Sequence, residues 1–329
     1  MVPAADRWPI SDTLAYHDWH YGGNGDVASF MSALEQQLGA PTSLPDFERK
    51  AQMLNYVSYR AVFEGFQAHL WTQNSGRLLW MTHPAWPSNH WEIYSSDYDT
   101  QASYYGVKTA CEPIHAQLNL PDYSLAVVNT TRQEHRGLTL TSRVFALDGR
   151  LLARHTSRVA ATANSTVTLP PLNLAPTLAT EDLVLVVLTL DDSHGQRLSQ
   201  NIYWQGRDDH SQQKLNSLAP QKLSVTTQTA QRGAQTVVTV TLENAGTAPA
   251  LATKLTVVDA DGNRVLPVLY SDNYISLLPH EPRKVEILCP TGGQCSNIRL
   301  RGWNVVPASA HINGGSLRGR VHSVVCRSR

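Results

Sequence analysis

The sequence predicts a mostly β fold opened by an α/β segment, namely the C-terminal remnant of a (β/α)8 barrel followed by two immunoglobulin-like β-sandwiches. Three observations predict it. Residues 1–110 hold six of the eight Trp, eight of the twelve Tyr and four of the five Phe, so the chain changes character near residue 112. From Ile114 to Val306 it consists of short Val, Thr and Leu runs separated by turn residues, the pattern of strands in sandwich domains. Within that stretch Asn129 and Asn244 each end a strand and are followed by the turn dipeptides Asp148-Gly149 and Asp261-Gly262. The repeat of about 114 residues matches one immunoglobulin-like domain of ~100 residues with its connection. The implied divisions are 1–112, 113–217 and 218–306, with a tail at 307–329.

In the first division Asp26 caps a predicted helix whose Val27, Phe30, Met31, Leu34 and Leu38 follow helical spacing, with Gly39 and Pro41 ending it. Ser43 and Asp46 form a capping box around Pro45 and open a long helix with Phe47, Ala51, Leu54, Val57 and Ala61 on one face, running to about Thr72. Arg77 to Met81 reads as a short apolar strand, the Pro84 and Pro87 segment as a loop, and Asp99 to Ala110 as a helix stopped by Pro113. One buried strand has no neighbours for its backbone groups, so this segment reads as the last turn of a larger barrel whose earlier strands lie before Met1, in the same chain or another. Such helices expose an apolar face, which predicts that residues 1–110 are digested before the sandwiches. In the sandwiches, strands are predicted at Tyr123–Thr130, Leu138–Leu147, Leu183–Leu190 and Thr236–Leu242, with the domain boundary near Asn216–Gln221. The tail from Pro307, with Arg318, Arg320, Arg327 and Arg329 and no acid, reads as disordered.

Composition narrows the function. Lys plus Arg and Asp plus Glu each number 27, and charged residues make up 16% of the 329, against about 25% typically. This balance argues against a nucleic-acid partner. Hydrophobic residues reach 42%, but no run approaches the ~18 apolar residues a membrane helix needs. The opening residues show no signal peptide, so a periplasmic or secreted location would need one further upstream. Cys111, Cys289, Cys295 and Cys326 form no CxxC pair; Cys289 and Cys295 enclose a turn-rich loop that holds either a disulfide or two thiols.

Active sites of barrels lie at the C-terminal ends of strands, which points Trp80, His83 and Trp86 toward such a site. Indole faces suit the C–H faces of sugar rings; the competing reading is that these side chains fill the barrel rim. Tyr16-His17-Asp18-Trp19-His20, followed by Gly22 to Gly25, reads as a loop contacting a hydroxylated substrate. No third ligand at a recognisable spacing joins His17 and His20, so neither metal nor cofactor is expected. The acids Asp18, Glu64, Glu92, Asp97, Asp99 and Glu112 do not pair as acid and nucleophile: Asp97 and Asp99 read as helix caps, Glu64 as a helix-face partner of Arg60, and Glu112 as preceding a helix-ending proline. No catalytic residue is assigned.

Several words occur in an informative order: Tyr16-His17-Asp18, Asp46-Phe47, Lys50-Ala51-Gln52, Asn55-Tyr56, Tyr59-Arg60-Ala61, Phe63-Glu64-Gly65, Trp80, Pro84-Ala85-Trp86, Tyr104-Tyr105-Gly106, Glu112-Pro113-Ile114-His115, Gln117-Leu118-Asn119 and Asn201-Ile202-Tyr203-Trp204. On these the chain, from residue 1 to about 306, resembles the C-terminal part of glycoside hydrolase family 2. The branch is that of the exo-β-D-glucosaminidases, β-mannosidases and mannosylglycoprotein endo-β-mannosidases. The resemblance implies a barrel with carboxylates at the ends of its fourth and seventh strands, both upstream of Met1, and two sandwiches after it. It implies a retaining β-glycosidase acting on a β-linked oligosaccharide, completed by the missing N-terminal barrel portion, with neither nucleic acid nor membrane as partner. Where relatives often carry Asn after the eighth strand, this chain has His83. The competing reading is a non-catalytic carbohydrate-binding or scaffold protein built on two sandwiches.

Overall fold

The computed structural model describes residues 2–17, 27–88, 92–120, 122–290 and 294–312. They fall into two compact units, one of residues 1–82, 89–93 and 102–216, the other of residues 83–88, 94–101 and 217–329. Among the described residues no helix is long and apolar enough to cross a membrane.

The first unit begins with helices α1 (Asp12–Tyr16), α2 (Val27–Leu38), α3 (Leu44–Gln67) and α4 (Ala102–Ala110). One arm of the expected capping box forms, with Ser43 Oγ accepting from Asp46 N at 3.4 Å; the return arm is displaced by one residue, Asp46 Oδ2 accepting from Thr42 N at 2.9 Å instead of Ser43 N. Asp26, the expected cap of α2, lies outside the described residues. At the other end of α2, Gly39 takes a left-handed φ of 81° and Lys50 Nζ donates to the carbonyls of Gly39 and Ala40, both at 3.1 Å. Helices α3 and α4 cross closely because Gly106 has no Cβ; one there would sit 2.5 Å from the Tyr56 carbonyl oxygen.

The strand expected at Arg77–Met81 does not form. The segment is irregular, with Leu78 95% and Trp80 80% exposed. A strand without neighbours has no ladder to join, and the described residues before Ile114 supply none. The helix expected from Asp99 starts at Ala102, and α3 ends at Gln67 rather than near Thr72.

The rest of the first unit is two antiparallel sheets. Strands β1 (Ile114–Leu118), β2 (Ser124–Asn129) and β5 (Ser165–Pro171) make one, in the order β1-β2-β5. Strands β3 (His135–Phe145), β4 (Leu151–Ala161), β6 (Leu183–Asp191) and β7 (Arg197–Gly206) make the other, in the order β4-β3-β6-β7, and a short helix, α5 (Ala175–Glu181), precedes β6. Their shared core takes Ile114, Ala116, Leu118 and Val127 from the first sheet and Leu138, Leu140, Val184, Val186 and Leu188 from the second.

The second unit repeats the plan. Strands β8 (Leu223–Arg232), β9 (Gln235–Asn244), β11 (Leu269–Tyr270) and β13 (Arg283–Cys289) form a sheet in the order β11-β13-β9-β8. Strands β10 (Ala250–Val258), β12 (Ile275–Leu277), β14 (Asn297–Arg301) and β15 (Ala308–His311) form another in the order β12-β10-β14-β15. Strand β15 falls inside the segment expected as a disordered tail; its residues complete β14 in register, Asn297 opposite His311 through Leu300 opposite Ala308. Residues 313–329 lie outside the described set. Cys289 and Cys295 are joined in a disulfide, and Cys111 is free.

The internal repeat has an atomic basis. Asn129 Oδ1 accepts from Thr131 N (2.9 Å) while Nδ2 donates to Gln133 O (2.7 Å). Asn244 Oδ1 accepts from Gly246 N (3.0 Å) while Nδ2 donates to Ala248 O (2.8 Å). Both side chains are buried, and each satisfies an amide two residues on and a carbonyl four residues on, closing the same turn at the end of an equivalent strand.

Because α3 and α4 belong to the same unit as the first sandwich, these two helices are not a loose appendage. Limited proteolysis followed by mass spectrometry should cut first in the exposed stretch at 76–82, with the α3 fragment still co-purifying with the sandwich. Early loss of residues 1–110 that leaves a product starting near Glu112 would restore the expectation drawn from sequence.

Candidate functional site

Strand β1 turns Ile114, Ala116 and Leu118 toward the sandwich core, so His115 and Gln117 face the opposite way, against α3. His115 has no exposed surface; its Nδ1 lies 3.0 Å from Glu112 Oε2 and its Nε2 3.1 Å from Glu64 Oε1. Carboxylate oxygens accept, so both ring nitrogens donate and the ring is an imidazolium. Burial disfavours that charge, but the hydrogen bonds and charges of Glu112 and Glu64 outweigh it, and the pKa is pushed up to about 9.

The carboxylates are themselves engaged. Glu64 Oε1 also accepts from the Tyr203 hydroxyl at 2.7 Å, and Arg60 Nε stands 3.9 Å from Glu64 Oε2. Burial, then the charge of Glu64, raises the Tyr203 hydroxyl well above its ordinary pKa, which keeps it a donor. Arg60 donates to the Ile202 carbonyl at 2.8 Å and lies over the Tyr203 ring at 4.1 Å. Ser199 Oγ donates to Glu112 Oε2 at 2.5 Å, and Gln117 Nε2 to the Glu64 carbonyl at 2.8 Å. Glu64 keeps the expected helix-face partner Arg60, but it is 3% exposed and has further partners, because α3 turns this side onto β1 and β7. Glu112, expected only as the residue before a proline, is the second arm on His115. The sequence signal for this cluster is period-2 spacing of polar residues, His115 with Gln117 along β1 and Ser199 with Asn201 along β7, with Glu112 three residues before His115. Chemically the cluster is a closed strut, with both carboxylates committed to partners.

The sequence-predicted binding residues lie elsewhere. Trp80 belongs to the first unit and projects from the irregular segment after α3, where Trp71, Leu78 and Met81 are also exposed. Its exposure rules out packing into the core of this unit. His17 follows α1, half-buried, edge-on to the Tyr16 ring at 5.5 Å. Asp18 and Trp19 lie outside the described residues.

His83 and Trp86 belong to the second unit, together with residues 94–101. His83 stacks on the Tyr98 ring with centroids 4.4 Å apart and planes 16° from parallel; Trp86 is 40% exposed. Asp97 and Asp99 do not cap α4, as expected from sequence, since the helix starts three residues beyond Asp99. Arg264 donates to Asp97 Oδ2 (2.6 Å) and Asp99 Oδ2 (3.1 Å), and Lys254 Nζ donates to Asp99 Oδ2 (3.1 Å). Among the described residues no group of three or more His, Cys, Asp or Glu side chains has the arrangement of a metal site.

The imidazolium gives a pH signature. The folded pKa of about 9 exceeds the ordinary 6.5, so the stabilisation is fully present below pH 6.5 and is lost as pH rises through about 9. Denaturant unfolding of the first unit should weaken by on the order of 3 kcal/mol between pH 6 and pH 10. His115→Gln should flatten that slope, and parallel curves for the two proteins would show that His115 is neutral in the fold.

Two family models match the chain: "Mannosidase Ig/CBM-like domain" over residues 122–206 and "Exo-beta-D-glucosaminidase Ig-fold domain" over residues 201–305. The exo-β-D-glucosaminidase of Hypocrea jecorina is 32% identical over 302 residues, 84% of this chain and 33% of that protein. That of Amycolatopsis orientalis is 32% identical over 345 residues, 94% of this chain and 33% of that protein. The mannosylglycoprotein endo-β-mannosidase of Lilium longiflorum is 29% identical, over 81% of this chain and 34% of that protein. The chain thus spans about a third of the length of these relatives. The crystal structure of the Amycolatopsis orientalis exo-chitosanase CsxA matches at a TM-score of 0.85 and 28% identity, over 94% of this chain and 40% of that one. A β-D-mannosidase from Dictyoglomus thermophilum shares the fold at a TM-score of 0.75 and 16% identity, over 93% of this chain and 35% of that one.

Proposed function

We infer the function from one premise: the chain belongs to the exo-β-D-glucosaminidase and mannosidase branch of glycoside hydrolase family 2, whose immunoglobulin-like domains it carries. It is the C-terminal portion of a retaining β-glycosidase that cleaves β-glucosaminide or β-mannoside bonds, with the catalytic carboxylates supplied by residues upstream of Met1. In this reading residues 1–112 end the catalytic barrel, and 113–217 and 218–306 are the two sandwiches.

The observation that carries the reading is coverage. A match over 94% of the chain at a TM-score of 0.85 cannot be confined to the sandwiches; it takes in the helical segment that precedes them. The chemistry agrees. Retention needs a nucleophile and an acid/base about 5 Å apart and open to substrate. Glu64 and Glu112 meet only through the His115 ring, and their oxygens are taken by Tyr203 and Ser199. Trp80 and Trp86, with His83, His17, Asp18 and Trp19, are the side chains that contact sugar; the two indoles act as platforms for pyranose rings.

Purified residues 1–329 should leave aryl β-glucosaminides and β-mannosides unhydrolysed, whereas the protein extended upstream by the missing barrel should turn them over with retention. Turnover by residues 1–329 that disappears in Glu92→Gln or Asp18→Asn would sink the reading. An extended protein that holds chitosan oligosaccharides without cutting them would favour the binding or scaffold alternative.

The indoles give a second test. With 80% of Trp80 exposed there is little packing to lose, so Trp80→Ala should change stability by less than about 0.5 kcal/mol. In the extended enzyme kcat/KM should nonetheless fall about ten- to a hundred-fold, the loss of roughly 1 to 3 kcal/mol of transition-state binding. Kinetics that stay normal would withdraw Trp80 from the site.

A further inference from the structure

We propose that Asp99 is a positioning residue: anchored to the second sandwich by Lys254 and Arg264, it sets the place of Tyr98 and through it the His83–Ser88 loop that carries Trp86. The functional consequence rests on the reading that Trp86 contacts sugar, and the structural claim does not.

The turn is small and heavily constrained. Ser95 N donates to the Asp99 carbonyl at 3.0 Å, Tyr98 N to the Ser95 carbonyl at 2.9 Å, and Tyr94 bridges Thr100 across the turn. At its tip Tyr98 has a φ of 63°, the left-handed region that a bulky residue occupies only where its surroundings force it. The forcing groups flank it in sequence. Asp97 and Asp99, one on each side of Tyr98, are gripped by one Arg264 guanidinium, and Asp99 is gripped again by Lys254.

Lys254 makes the grip specific. It lies on β10, mostly buried, with its ammonium 5.5 Å above the Tyr274 ring, so its charge must find a carboxylate there, and Asp99 is that carboxylate. Turn conformation and charge compensation are thereby one equilibrium. The Tyr98 ring it fixes is the surface against which His83 lies, and His83 stands three residues before Trp86. A residue of the second sandwich, some 170 positions along the chain, therefore determines where an aromatic of the candidate sugar site is held.

The test uses residues 1–329 labelled with 5-fluorotryptophan, the Trp86 resonance being assigned with Trp86→Phe. Asp99→Asn, and separately Arg264→Gln at a half-exposed position that tolerates change, should displace or broaden the Trp86 resonance. The resonance of Trp303, buried in the same unit, should stay in place as the check on folding. Asp99→Glu should restore much of the wild-type position. A Trp86 resonance unmoved in both variants overturns the proposal. Chitosan oligosaccharide is then titrated into the extended enzyme labelled in the same way: if the variants move the Trp86 line but sugar does not move it in the otherwise wild-type protein, the sugar reading falls and the positioning role stands. In the extended enzyme, Asp99→Asn and Trp86→Ala should each lower kcat/KM, and the double variant should be no worse than Trp86→Ala alone; additive losses would show that Asp99 acts independently of Trp86 and overturn the proposal.

Discussion

One imidazolium held between two carboxylates organises the first unit. His115 is reached from α3 by Glu64 and from the end of α4 by Glu112, while β7 adds Tyr203 and Ser199 to the same oxygens. Charges as deeply buried as those of His115 and Glu64 persist only if compensated; removing one partner of such a buried pair costs about 3 to 5 kcal/mol. The arrangement therefore permits one placement of α3 against β1 and β7, with Arg60 capping the Ile202 carbonyl and Gln117 the Glu64 carbonyl as dependent bonds. Apolar contacts alone would allow the helix to slide. A charge that must meet two carboxylates does not.

The second unit uses the same device at a different scale. Lys254 on β10 captures Asp99 as His115 on β1 captures Glu64: in each case a charged strand residue is neutralised by an acid from the helical segment. Residues of that segment are thus distributed over both units, and neither sandwich has a complete set of charge partners without them. These pairs tie α3 and the turn at 94–101 each to its own sandwich, although the described residues before Ile114 contain no sheet.

The same bookkeeping bears on catalysis. A nucleophilic carboxylate needs an open face and a tuned partner, whereas Glu64 and Glu112 spend their lone pairs on structure. The aromatic residues show the opposite economy. Trp71, Leu78 and Trp80 keep large apolar surfaces in solvent, which a folded domain tolerates where another surface or a ligand completes them. Glu64 is thus buried in structure while Trp71, Leu78 and Trp80 stay exposed.

Sequence by itself determined much of what depends on short-range pattern. Helical spacing located α2, Ser43 and Asp46 fixed the start of α3, alternating Val and Thr marked the strands, and the paired Asn129 and Asn244 revealed the duplicated sandwich, because each feature is a property of a few neighbouring residues. It misread Arg77–Met81, since an apolar run becomes a strand only when another strand lies beside it. It misread Asp97 and Asp99 as caps, and it paired Glu64 with Arg60 but missed His115 and Tyr203, because the remaining partners of these acids lie between about 50 and 170 residues away. It had no means of seeing that His115 is charged or that Tyr98 supports His83. Those facts follow from which groups tertiary folding brings within 3 to 5 Å, and electrostatic compensation in a buried site is decided at that distance.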